Sequence, residues 1–131
     1  MMLWILAIIV VAMLAYIRLA PSDANRWHQP VVAEADKDLA GGAIRVIDAG
    51  PDGLERLDTI ARDLPRTTVL AGSVAEGRVT YVTRSQIIGF PDYTTVEQDG
   101  NTIRMFARLR FGRRDFGVNG ARLRQLARGL D

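Results

Sequence analysis

The chain has 131 residues, which allows one small domain beside a conspicuous apolar segment at the N-terminus. It has no cysteine and one histidine, His28, which excludes disulfides, a cysteine nucleophile and multi-histidine metal sites. No metal or other cofactor is therefore expected. The net charge is +2, but 11 basic residues against 6 acidic ones follow Pro65, and sixteen of the seventeen basic residues are arginine, so the second half should present forked guanidinium donors.

Residues 1–20 are predicted to form a membrane anchor. The first 17 carry no charged side chain, and a helix of that length spans roughly 26 to 28 Å, close to the ~30 Å hydrocarbon core of a bilayer. A cleaved signal peptide is disfavoured because no basic residue precedes the apolar run and Arg18 stands where a small residue should precede the cut. We expect a single-pass protein of the bacterial inner membrane. Arg18 and Arg26, offset by Asp23, leave the side of the soluble domain open.

Residues 21–42 are polar, contain prolines and end in a glycine pair, which predicts a linker. Trp27 and His28 lie inside it. The favoured interpretation is an aromatic side chain that rests on lipid or on the domain, beside an exposed imidazole. The alternative is a pair of residues that contacts a ligand.

Residues 43–131 are predicted to form one small α+β domain. Apolar residues recur with helical spacing between 54 and 64, and strand patterns occupy 43–48, 67–74, 78–85, 93–99 and 102–111. A last helix ends near Gly129. These patterns predict an antiparallel sheet of four to five strands packed against two helices, after the transmembrane helix.

The last strand alternates strictly, so its two faces can be assigned. The residues that should face the helices are Ile103, Met105, Ala107, Leu109 and Phe111. The other face should be an open row of arginines around Phe106, formed by Arg104, Arg108 and Arg110.

The segment after that strand carries a motif of the form RxGxxDxGxNxxR, made by Arg110, Gly112, Asp115, Gly117, Asn119 and Arg122. This motif resembles the C-terminal signature of the domain of unknown function 1499 family, small proteins of bacteria and plastids. FPDYTTVE, residues 90–97, is similar to another segment of that family. The resemblance implies no activity, cofactor or catalytic residue.

Two interpretations of the motif stay open. In the first, Gly112 and Gly117 permit unusual backbone angles while Asp115 and Asn119 hold a strand-to-helix turn. In the second, the start of the last helix is an anion site. The arginines expected around the anion are Arg110, Arg113, Arg114 and Arg122.

Three classes of function fit these features to different degrees. The best supported is a membrane-anchored, non-catalytic binding or accessory domain whose basic face meets an anionic lipid headgroup or an acidic protein. The alternative is a small hydrolase-like enzyme that uses Asp92 and Asp115 in a cleft. Nucleic-acid binding is disfavoured by the acidic first half and the membrane segment.

Overall fold

The computed structural model describes all 131 residues, which form four helices and one sheet. The elements in chain order are α1 (Met2–Leu19), α2 (Ala24–Trp27), β1 (Lys37–Leu39), β2 (Gly42–Asp48), α3 (Gly53–Arg62), β3 (Thr67–Ser73), β4 (Arg78–Arg84), β5 (Pro91–Asp99), β6 (Thr102–Leu109) and α4 (Val118–Arg128). The predicted α+β class with an apolar N-terminal helix is confirmed.

The sheet has six strands in the order β1-β2-β6-β5-β4-β3, and every neighbouring pair is antiparallel. The prediction of four to five strands was therefore wrong by one. The additional strand is β1, which lies in the segment predicted to be a linker. Its three residues are all exposed at the edge of the sheet, so they show no alternation that the sequence could reveal.

The inner face of the sheet packs against α3 and α4 and forms the main core. Ile103, Met105 and Ala107 of β6 are fully buried there, as the alternation predicts, whereas Leu109 at the end of the strand and Phe111 beyond it are only partly buried. Leu57 of α3 and Leu123 of α4 are also fully buried in this core. Two helices on one face of an antiparallel sheet leave the other face to be covered or hydrated.

The outer face of the sheet is covered by residues 20–36, which we call the strap. Trp27 stacks on Tyr93 of β5, with ring centroids 3.9 Å apart and an angle of 11° between the rings. The Ser22 hydroxyl lies 2.7 Å from the Tyr93 hydroxyl, and His28 Nδ1 lies 2.8 Å from Thr80 Oγ1 of β4. Trp27 thus packs on the domain, and the His28 side chain is only 13% exposed.

The strap also uses the arginines that were expected to form an open row. Arg104 Nε donates to the carbonyl of Ala33 at 2.9 Å, and Arg108 donates to the carbonyl of Trp27. Burial lowers the pKa of Arg108 to about 10, so its guanidinium remains charged at neutral pH. The expectation of an open basic face was wrong because backbone carbonyls of an irregular segment accept these hydrogen bonds, and side-chain patterns do not reveal such acceptors.

Helix α1 projects from one end of the sheet. It is the one helix long and apolar enough to cross a membrane, with a mean hydropathy of 2.5, and a signal sequence would meet the same criteria. Its last turn contacts the domain: Ile17 is buried, and Arg84 donates to the carbonyl of Ile17 at 3.2 Å. We call this end of the sheet, which also carries the β4–β5 and β6–α4 loops, the α1-proximal end.

Candidate anion-binding cleft

Asp115 organises the turn between β6 and α4. Its carboxylate accepts hydrogen bonds from Gly117 N at 2.9 Å, from Asn119 N at 3.0 Å and from Asn119 Nδ2 at 2.8 Å. Gly112 and Gly117 have φ of 95° and 82°, in the left-handed region that favours glycine. Gly117 is the N-cap residue of α4, and Asp115 supplies the acceptor from outside the helix.

Asn119 is fully buried and connects Asp115 to Arg122. Its Oδ1 accepts a hydrogen bond from Arg122 Nη1 at 2.6 Å, and the same nitrogen lies 3.4 Å from Asp92 Oδ2 on β5. The four side chains therefore form one chain of polar contacts between β5 and α4. A buried amide needs partners for both its donor and its acceptor, and Asn119 has both.

The two carboxyl groups of this network titrate in opposite directions. Burial raises the pKa of Asp92 above its usual value, although Arg122 acts in the other direction. For Asp115 burial also acts to raise the pKa, but the hydrogen bonds from Asn119 and Gly117 outweigh it, so the pKa of Asp115 is lowered. Asp92 is thus the carboxyl group that can more easily hold a proton.

An open cleft of about 400 Å³ lies beside this network at the α1-proximal end. Its charged lining residues are Arg66, Arg84, Arg114, Arg122, Asp92 and Asp115. Arg122 is the only one of these arginines that forms an ion pair. The cleft therefore holds three guanidinium groups that form no ion pair, beside Arg122, which pairs with Asp92.

The structure brings together two of the four predicted anion-binding arginines. Arg114 and Arg122 line the cleft, whereas Arg110 lies outside it and donates to Pro21 O at 3.0 Å and to the Tyr93 hydroxyl at 3.2 Å. The hydrogen bond with the Tyr93 hydroxyl raises the pKa of Arg110, so Arg110 stays charged. Its guanidinium group binds the strap and not the cleft. Arg113 is exposed in the β6–α4 loop and does not line the cleft.

Sequence reasoning missed Arg66 and Arg84, which flank strands of one hairpin. In the sheet Thr67 pairs with Thr83, so Arg66 and Arg84 meet at the same end, where Arg66 Nε donates to Arg84 O at 2.9 Å. The pairing register of β3 and β4 would have identified this pair, and the sequence alone does not reveal it.

The backbone is strained at two positions near the cleft. Arg66 has a φ of 53°, and the only other non-glycine residue with positive φ is Phe116, in the loop beside the cleft. Such backbone strain concentrates at functional sites.

Other features of the surface offer less for a ligand. A depression of about 430 Å³ near the far end of α4 is lined by three arginines and two aspartates, so its side chains carry one net positive charge, whereas four arginines and two aspartates give the cleft two. No group of three or more His, Cys, Asp or Glu side chains that could hold a metal ion occurs in the structure.

The chain matches the model of a known protein family. No curated protein matches the chain. The family model described as "Protein of unknown function (DUF1499)" matches residues 17–130, a range that includes the strap, both loops of the α1-proximal end and the whole cleft. Because this match covers most of the chain, the protein belongs to the DUF1499 family.

Proposed function

We propose that this protein is a single-pass membrane protein whose non-catalytic domain binds an anionic partner through the cleft at the α1-proximal end. The observation that carries the proposal is the set of three arginines, Arg66, Arg84 and Arg114, that line one cleft and form no ion pair. Guanidinium groups match the geometry of phosphates and carboxylates by paired hydrogen bonds. The partner is therefore an anionic lipid headgroup or an acidic protein surface.

The contacts of the last turn of α1 support an anchor that stays attached. A cut after Ala20 would remove Ile17 and its carbonyl from Arg84, and it would expose the surface that Ile17 and Ala20 cover. A signal sequence has no need to pack against the mature domain. We place the helix in the bacterial inner membrane, which brings the cleft close to the lipid surface.

Anion binding by the full-length protein in neutral detergent micelles tests the proposal. The cleft variant is Arg66→Gln with Arg114→Gln, and the matched control is Arg124→Gln with Arg128→Gln, which removes the same charge from the far end of α4. Glycerol 3-phosphate and a hexaglutamate peptide serve as probes in calorimetric titrations. Each arginine near an anionic surface contributes about 1 kcal/mol, so the cleft variant should bind roughly 10- to 30-fold more weakly than the control. Equal binding by the two variants would contradict the proposal.

The hydrolase-like alternative is favoured by one observation. Asp92 and Asp115 line the same cleft and have pKa values shifted in opposite directions, as acid and base partners in active sites often do. Against it, both oxygens of Asp115 already accept hydrogen bonds from the start of α4. A panel of nitrophenyl esters and phosphates decides between the two: turnover that Asp92→Asn abolishes and Arg124→Gln preserves would establish the enzyme.

A further inference from the structure

Two apolar side chains project into solvent beside the cleft. Ile87 in the β4–β5 loop is 82% exposed, and Phe116 in the β6–α4 loop is 91% exposed. Phe116 also adopts a φ of 55°, in the left-handed region that bulky side chains rarely occupy. Neither side chain packs in either hydrophobic core. Because Phe116 is exposed and its backbone is strained, its side chain contributes nothing to the stability of the isolated domain. Contact with a surface outside the domain would explain why an aromatic residue stands at this position.

The two loops lie level with the end of α1. Arg18 donates to the carbonyl of Ile88 at 3.1 Å and also to that of Ile87. Tyr16 contacts Phe111 edge-on, with ring centroids 6.1 Å apart, and Phe111 in turn lies next to Phe90. Tyrosine and arginine at the end of a membrane span mark the interface between lipid and water. Contacts with those two residues place the β4–β5 and β6–α4 loops at the same depth.

The basic surface is continuous from the cleft to the end of the helix. A second depression, of about 490 Å³, shares Arg66, Arg84 and Ser85 with the cleft and adds Arg18. Arg18, Arg66, Arg84 and Arg114 form no ion pair. A cluster of arginines next to a membrane span, flanked by exposed apolar side chains, has the composition of a surface that binds anionic lipid.

We propose that the cleft binds the phosphate of an anionic phospholipid in the leaflet that receives the end of α1, and that Ile87 and Phe116 insert into that leaflet. The inference rests on the proposed function and names the ligand of its site. The apolar side chains beside the cleft favour a lipid over a free phosphate, because a soluble anion would leave Ile87 and Phe116 in water.

The insertion is measured with spin labels on the full-length protein in vesicles of phosphatidylcholine and phosphatidylglycerol. Because the chain has no cysteine, Ile87→Cys and Phe116→Cys each provide a single labelling site. Ala75→Cys is the control, since its exposed position in the β3–β4 turn lies one strand length, roughly 20 Å, from the β4–β5 loop. Labels at 87 and 116 should be accessible to oxygen and protected from a water-soluble nickel complex, and the label at 75 should show the reverse. Labels at 87 and 116 that behave like the label at 75 would overturn the inference.

The ligand is measured by counting retained lipids in native mass spectra of the full-length protein. Phosphatidylglycerol should be retained by wild type and by the control Arg124→Gln with Arg128→Gln. The cleft variant Arg66→Gln with Arg114→Gln should retain at least ten-fold less. Inorganic phosphate and glycerol 3-phosphate are the soluble arms. If they bind the cleft while phosphatidylglycerol is not retained, the lipid inference fails and the proposed function survives. If phosphatidylglycerol, the soluble phosphates and the hexaglutamate peptide all fail to bind, both fail.

Discussion

Replacing Asp115 with Ala tests whether one carboxylate holds the turn before α4. The change removes the acceptor of three hydrogen bonds and leaves Asn119 Nδ2 without a partner in a fully buried position. An orphaned buried donor costs about 1 to 3 kcal/mol, and a lost hydrogen bond at a partly exposed position costs about 1 kcal/mol or less, because water replaces the partner. We expect a loss of about 2 to 3 kcal/mol in the free energy of unfolding.

Thermal unfolding of the full-length chain in detergent micelles, followed by far-ultraviolet circular dichroism, measures this loss. For a domain of this size it corresponds to roughly 10 to 20 °C in Tm. Asp63→Ala is the control, since Asp63 is exposed and its side chain forms neither a hydrogen bond nor an ion pair. Asp115→Asn should also destabilise the fold, because Oδ1 and Oδ2 both accept hydrogen bonds and an amide offers only one oxygen.

The pH dependence of the free energy of unfolding tests whether Asp115 stabilises the fold in its charged form. Since the pKa of Asp115 is lowered in the folded state from its ordinary value of 3.8, the stabilisation is present above about pH 4 and is lost as the pH falls through the folded-state pKa. The difference between wild type and Asp115→Ala should therefore narrow below about pH 4. If Asp115→Ala unfolds within about 0.5 kcal/mol of Asp63→Ala at pH 7, a difference typical of neutral surface substitutions, the reasoning is refuted.

Three further predictions concern the strap, the cleft and the core. Trp27→Ala should lower the free energy of unfolding by about 3 to 5 kcal/mol, because Trp27 is buried and stacked on Tyr93. The control Trp4→Ala should leave Tm unchanged, since Trp4 is exposed on α1. Equal Tm values for the two variants would exclude a packed strap. Burial raises the pKa of Asp92, so the folded state favours the protonated form of this carboxyl group. The free energy of unfolding of wild type, relative to that of Asp92→Asn, should therefore rise as the pH falls from 7 toward 4. Urea titrations of both proteins at the two pH values measure the direction of this change. Tyr81→Phe should cost about 1 to 2 kcal/mol in the same urea titration at pH 7, because the Tyr81 hydroxyl donates to Asp58 beneath the sheet, and an unchanged midpoint would contradict that contact.

The sequence predicted the features that repeat along the chain and missed those that depend on pairing. The alternation of β6 identified its buried face because one side of an antiparallel sheet excludes water. In one of its two interpretations the motif assigned Asp115 and Asn119 to the strand-to-helix turn, because residues that hold a turn lie close together in the sequence. Arg66 and Arg84 escaped notice because they meet only through the register of β3 and β4. Trp27 was expected to rest on lipid or on the domain, but its partner could not be predicted, because Tyr93 lies 66 residues away in the chain and no periodic pattern connects the two.

The hydrogen bonds that join the domain to the end of α1 and to the start of the strap have a mechanical consequence for the proposed single-pass protein. Arg84 and Arg110 hold the backbone of Ile17 and Pro21, so there is no free tether between the end of α1 and the sheet. The 18 residues of α1 are about 27 Å long, slightly less than a typical hydrocarbon core of about 30 Å. A thicker bilayer would therefore pull the α1-proximal end deeper into the headgroups, and a thinner one would tilt the helix and turn the cleft with it. If α1 spans the bilayer as proposed, the height and direction of the cleft above the lipid would depend on the thickness of the membrane, without any change in the fold of the domain.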